Sequence, residues 1–243
     1  IFFIGMSAAF MGRLVERFGP RLTGTVAALL YGSGILLTGL AVQIHSLPLL
    51  YIGYGVIGGL GLGAGYVTPV STIIAWFPDK RGLATGMAIM GFGFAAMLTG
   101  PVAQQLIANL GVVATMYVLG AVYMVIMLGS AQVIRKPHPH EVPAADLAKS
   151  VSLTGKAMTA NEAVKTRSFR YLWLMFFINI TCGIGLVAVA SPMAQQQTGM
   201  SATTAAVMVG VVGLFNGFGR LAWATLSDLI GRPLTYTLIF IVD

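Results

Sequence analysis

Apolar runs of about 20 residues or more follow one another along this chain, separated by loops that alternate in charge. They occupy residues 22–43, 47–77, 82–109, 112–134, 169–194 and 203–226, with the tail of another at 1–11 and the start of one more at 234. A helix needs about 20 apolar residues to cross a hydrocarbon core roughly 30 Å thick. Inside that core every backbone N–H and C=O must be satisfied within the protein, which leaves helices for segments of this length. The fold class that follows is an all-α integral membrane protein. Composition agrees: 57% of residues are hydrophobic and 9% charged, against about 25% charged in soluble domains.

The loops after the first, third, fifth and seventh spans hold Arg13, Arg17, Arg21, Lys80, Arg81, Arg135, Lys136, Lys149, Lys156, Lys165, Arg167 and Arg232. The intervening loops, at His45-Ser46, Leu110-Gly111 and residues 195–201, hold no Lys, Arg, Asp or Glu. By the positive-inside rule the charged loops face the cytoplasm, and a bacterial inner membrane is the expected location. Because the net charge of +7 sits in loops and forms no basic face on a soluble fold, a nucleic-acid partner is not expected. The lipid bilayer is. The single cysteine, Cys182, rules out a disulfide within the chain and reads as a small packing residue. His45 lies in an uncharged loop, and His138 and His140 alternate with prolines, so no metal and no cofactor is expected. Three segments follow: an N-terminal helical bundle at 1–134, a cytoplasmic linker at 135–168, and the start of a second bundle at 169–243. Both ends read as cut, so a piece of a longer protein is expected.

Two short stretches about 212 residues apart repeat one pattern. Gly12-Arg13-Leu14-Val15-Glu16-Arg17-Phe18-Gly19 and Ala224-Thr225-Leu226-Ser227-Asp228-Leu229-Ile230-Gly231-Arg232 each close an apolar run with an acid, arginine and a glycine. Recurrence at matching boundaries implies a duplicated helical bundle, an architecture typical of transporters. An acid at a helix end beside arginines from neighbouring loops forms a charge-assisted pair that can latch two halves in one state. Glu16 and Asp228 are the acids, and Arg17, Arg21 and Arg232 the expected partners. Gly19 and Gly231 are expected to make the tight turns between helices. The bland alternative is that these charges are solvated and serve only topology.

Arg220 stands apart. It lies eight positions before Asp228 inside an apolar run, about 12 Å from the charged end at 1.5 Å per residue. A charge there costs at least about 2.5–3.5 kcal/mol on insertion scales, so it should face a cavity or a partner. Its planar fork matches a carboxylate. The competing reading is an arginine snorkelling to the surface. Tyr66, about 15 Å above Trp76 along its helix, can donate a hydrogen bond to an anion, or can simply pack. Asn216, one turn above Arg220, and Phe92 are further cavity candidates, although Asn216 can instead bond between helices. Gln104 and Gln105 lie near the outer end of their helix. Asp243 would matter if protons were coupled.

The pattern Gly12-x-Leu14-x-Glu16-Arg17-x-Gly19-x-Arg21 resembles the loop signature between helices 2 and 3 of the major facilitator superfamily, and Leu226-Ser227-Asp228-x-x-Gly231-Arg232 its echo between helices 8 and 9. The resemblance covers the chain, which would run from inside helix 2 to the start of helix 9 of twelve, in two pseudo-symmetric six-helix bundles, incomplete here. Trp76-Phe77-Pro78-Asp79-Lys80-Arg81-Gly82-Leu83-Ala84-Thr85-Gly86, with Phe215-Asn216-Gly217-x-Gly219-Arg220, is more similar to the oxalate:formate antiporter subgroup. Two positions depart. Ala224 replaces the usual glycine of the second signature, and Gln104-Gln105 replace glycines after Gly100-Pro101, which leaves the coupling mode open.

The resemblance implies a carboxylate-binding arginine in helix 8, hence Arg220, and an aromatic in helix 4, hence Tyr66. It implies a secondary transporter of small organic anions such as oxalate or formate, working by alternating access as an antiporter and as a monomer. Proton-coupled monocarboxylate symport or export of another metabolite stays open. An enzyme is not expected, because the spans hold no ionisable cluster, and the linker is too short for a sensor domain.

Overall fold

Gly19 decides the first turn of the fold. In the computed structural model, which describes residues 1–138, 140, 141 and 160–242, α1 runs Phe2–Gln43 and is helical except at Gly19 (φ 81°, ψ 164°). That conformation is essentially restricted to glycine, and Pro20, with no N–H to lose, restarts the helix after it. At 42 residues and 1.5 Å per residue, α1 is about twice the length of one crossing. It is two spans joined by one residue.

The second hairpin is built the same way. The short α2 (Leu47–Leu50) passes into a π-helical segment, Tyr51–Gly58, and then into α3 (Gly59–Trp76). Pro69 sits inside α3, and the irregular geometry of this span falls at residues 51–58. There the widened backbone presses on α1, where a Cβ on Gly34 would lie 2.6 Å from the Gly58 nitrogen. The 53-residue α4 (Arg81–Val133) again joins two spans, bent at Gly111 (φ 80°, ψ 168°). After it come α5 (Ala160–Lys165), α6 (Arg167–Thr198), α7 (Ala202–Ile230) and α8 (Arg232–Val242). Thr166 and Ser201 cap α6 and α7 by accepting the N–H groups of Phe169 and Thr204 at 3.1 and 3.2 Å. Every regular element among the described residues is helical, and five continuous helical stretches are long and apolar enough to cross a membrane.

Packing falls into two parts. α1 lies against α3 and α4, and the first half of α4 runs along α7. Apart from Val15 and Ile35, the buried apolar side chains are alanines, among them Ala27, Ala28, Ala64, Ala84, Ala131 and Ala205. Lipid tails give helices no hydrophobic reason to associate, so close backbone approach does the work. Buried threonine hydroxyls bond inside their own helices, Thr38 donating to the Gly34 carbonyl and Thr68 to that of Ala64, each at 2.8 Å, whereas Ser7 of α1 donates across to the Leu60 carbonyl of α3 at 2.6 Å.

The α4–α7 contact brings backbone against backbone. A Cβ on Gly93 would lie 2.7 Å from the Gly217 Cα and run into the Gly213 carbonyl. One turn pair nearer the charged end, Gly86 faces Ala224, whose Cβ would be 2.9 Å from a Cβ added at Gly86. The alanine that departs from the signature is accommodated by a glycine on the partner helix.

Candidate functional site

Near the middle of α7 the helix turns one polar stripe into an open cavity of about 500 Å³ bounded by α4, α6 and α7. Arg220 and Asn216 line it together. Their spacing of four places them on the same face, and the Arg220 Nε donates to the Asn216 Oδ1 at 2.9 Å. This bond fixes one edge of the guanidinium, and the two terminal nitrogens have no hydrogen-bond partner among the described residues. Around them the wall is apolar: Gly93 and Ala96 from α4, Ile180, Ile184 and Val187 from α6, Val209 and Val212 from α7. A cation in such a wall interacts with an anion far more strongly than in water. Gly217, buried against α4, sets α7 close enough for Arg220 to reach this space, whereas Gly219 faces nothing within 4 Å.

Tyr66 is half-buried on α3. Its ring stands 5.7 Å from that of Phe92, centroid to centroid. Phe92 lines the cavity and Tyr66 backs it, so the tyrosine touches the site through its neighbour. Asn179, on α6, was missed in the sequence although it is an amide alone in the apolar run Phe176-Phe177-Ile178-Asn179-Ile180; it too lines the cavity. Gln104 and Gln105 do not line it. Cys182 is exposed on α6 instead of packed. Asp243 lies outside the described residues.

The charged loops converge at one end of the molecule. The Trp76 indole N–H donates to the Arg135 carbonyl at 2.9 Å, Lys136 Nζ donates to the Glu16 carbonyl at 3.1 Å, and the Leu83 N–H donates to Asp228 Oδ2 at 3.0 Å. The expected pairing of Glu16 and Asp228 with Arg17, Arg21 and Arg232 is not what the structure brings together. Among the described residues neither acid forms an ion pair with them. Asp228 reaches past the arginines to the first turn of α4, where unsatisfied N–H groups and the helix dipole favour a carboxylate. Arg232 and Asp228 share a cleft of about 450 Å³ with Asp79 and Arg81. The Arg81 Nε is buried without a partner among the described residues. Arg17 stacks on Phe18, 5.3 Å from ring centroid to guanidinium carbon. Gly12 packs against nothing within 4 Å, while Gly19 and Gly231 (φ 87°) make the turns. No three His, Cys, Asp or Glu side chains converge as metal ligands among the described residues.

Known proteins match this arrangement along its length. The family model described as Major Facilitator Superfamily matches residues 1–242. The oxalate:formate antiporter of Oxalobacter formigenes is 32% identical over 231 residues, which cover 94% of this chain and 52% of the antiporter. An uncharacterised transporter of the same superfamily from Escherichia coli, YhjX, is 28% identical over 94% of this chain and 55% of its own length. Human monocarboxylate transporter 14 is 32% identical over 113 residues, 46% of this chain and 22% of that protein. The chain thus spans about half the length of the first two of these relatives. With its membrane-length helices joined at paired signatures, it belongs to the major facilitator superfamily.

Proposed function

We propose that this chain is part of a secondary active transporter of small organic anions that works by alternating access, with Arg220 as the carboxylate anchor. The observation that carries the proposal is the placement of Arg220. It opens into an apolar cavity about 12 Å from the charged end of α7, with its Nε already held by Asn216. A fixed fork whose two terminal nitrogens have no partner among the described residues suits a carboxylate. Tyr66 supports the cavity wall through Phe92, and Asp228 at the α4 terminus acts as the latch between halves, aided by Glu16, Arg17, Arg21 and Arg232 around the turns at Gly12–Gly19 and Gly231. Exchange fits this site, since an empty, uncompensated cation resists reorientation through a dry interior. The charged loops and the linker face the cytoplasm of a bacterial inner membrane, by the positive-inside rule, and one copy suffices.

The likeness to the oxalate:formate antiporter supports oxalate or formate as substrate. The apolar cavity wall and the likeness to a monocarboxylate transporter support a second reading, proton-coupled uptake of a monocarboxylate. Arg220→Gln should cut uptake of labelled oxalate or formate into proteoliposomes by about 10- to 100-fold, the value of a charge-assisted hydrogen bond of roughly 1.5–3 kcal/mol. Undiminished uptake by a folded variant removes Arg220 from the mechanism. Counterflow independent of pH selects exchange over symport.

A further inference from the structure

The chain leaving α4 does not run straight out into the linker; it folds back beneath the bundle. The Trp76 indole donates to the Arg135 carbonyl, and the Arg135 guanidinium stacks over the same ring, 4.9 Å from its centroid. Both oxygens of Glu141 accept from Arg135, at 2.7 and 2.8 Å, and Glu141 Oε2 also accepts from the His138 backbone N–H at 2.7 Å. Lys136 closes the strap by donating to the Glu16 carbonyl.

Between this strap and the Gly19–Pro20 bend lies a cleft of about 350 Å³. Arg21, Arg135, Lys136 and His138 all line it, and among the described residues no carboxylate does. Glu141 is committed to Arg135, and Glu16 offers its backbone oxygen to Lys136. The Arg21 guanidinium has no acidic partner within 4 Å among the described residues. Phe18, 51% exposed, forms an apolar rim. Gly19 divides two spans, and Trp76 and Val133 end two others. The cleft therefore opens where hydrocarbon gives way to headgroups.

Two basic side chains without an acidic partner among the described residues, Arg21 and Lys136, beside an apolar edge at that depth, fit a phosphate ester attached to acyl chains. We infer that this cleft binds a phosphate group, supplied by an anionic phospholipid of the surrounding leaflet. The inference is independent of Arg220, which lies in a different cavity.

Trp76 is the built-in reporter, because it packs under Arg135. With Trp173→Phe and Trp223→Phe in place, the reconstituted protein is titrated with phosphatidylglycerol in phosphatidylcholine nanodiscs and Trp76 fluorescence is followed. A saturable change is expected. Arg21→Gln and Lys136→Gln should each weaken it about fivefold, the effect of one basic residue near an anionic surface, and Arg21→Lys should largely restore it. Arg220→Gln should leave it intact. A parallel arm adds inorganic phosphate to pure phosphatidylcholine discs. Saturation there with the same dependence on Arg21 would overturn the lipid as the source and keep the phosphate site. Silence in both arms would overturn the site itself. So would an equal loss with Arg13→Gln, a basic residue that does not line the cleft and reports bulk surface charge alone.

Discussion

Gly93→Ala tests whether the α4–α7 seam holds the protein in the state described. The added Cβ would stand 2.7 Å from the Gly217 Cα and 2.8 Å from its nitrogen, where ordinary contact begins near 3.4 Å. Both obstacles are backbone, so no side chain can swing away. Relief requires the helices to part by roughly 1 Å or one of them to slide, and overpacking of this kind costs about 1–3 kcal/mol. A state in which α4 and α7 have separated carries none of that cost. The ratio of the packed to the separated state should fall by about 5- to 150-fold, at a factor of ten per 1.4 kcal/mol. With Cys182 replaced by serine, spin labels at Met87 and Leu229, both exposed near the charged ends of these helices, would report the change by pulsed electron resonance as a gain in the longer distance. Gly91→Ala is the control: it lies on the same helix and meets nothing within 4 Å. A Gly93→Ala distance distribution and melting curve identical to those of Gly91→Ala would refute the argument from backbone contact.

Other outcomes follow from the charged end. Asp228→Asn keeps the shape but removes the charge from the α4 terminus, a loss of about 0.3–1 kcal/mol, and the same label pair should shift modestly toward separation. No shift would mean that the carboxylate is solvated. Gly231→Ala forces an alanine to φ 87°, ψ 153° at roughly 1–3 kcal/mol, visible as a lower melting temperature in detergent; Gly12→Ala, with nothing within 4 Å, should not show it. The Arg135 guanidinium, by hydrogen bonding, holds the Glu141 carboxyl well below its ordinary 4.5, at about 2. Because the folded state binds this proton less readily than the unfolded chain, the pair's contribution is complete above pH 4.5 and disappears as pH falls through about 2. Trp76 fluorescence should accordingly stay flat from pH 7 to pH 4. A transition centred near 4.5 would show that the bond does not persist in solution.

Helix number and the glycine turns could be read from the chain because they depend on local chemistry. A run of apolar residues has one way to cross lipid, and glycine after an acid-arginine cluster has one common use. Arg220 stood out for the same reason, as a charge isolated in a span. What escaped the reading depends on which helices meet. Asp228 has arginines beside it in sequence, yet α7 delivers it to Leu83, 145 positions away in the chain. Asn179 was as isolated as Arg220, but a neutral amide carries too small a penalty to demand attention before its helix is seen against a cavity. The π-helical segment at residues 51–58 contains no proline and packs against Gly34 of α1, which no local window contains. Arg135 was placed as linker charge. Only the fold sets it over Trp76.

Gly19, Gly111 and Gly231 share one backbone conformation, and only the first and last lie in charged loops. Each is a single-residue elbow with no slack on either side. A helix joined through such an elbow cannot tilt far without dragging its neighbour, so the smallest piece able to swing is a pair of spans. Lengthening an elbow by a few flexible residues would uncouple the pair and let one arm lag behind the other, without touching a single residue of the cavity.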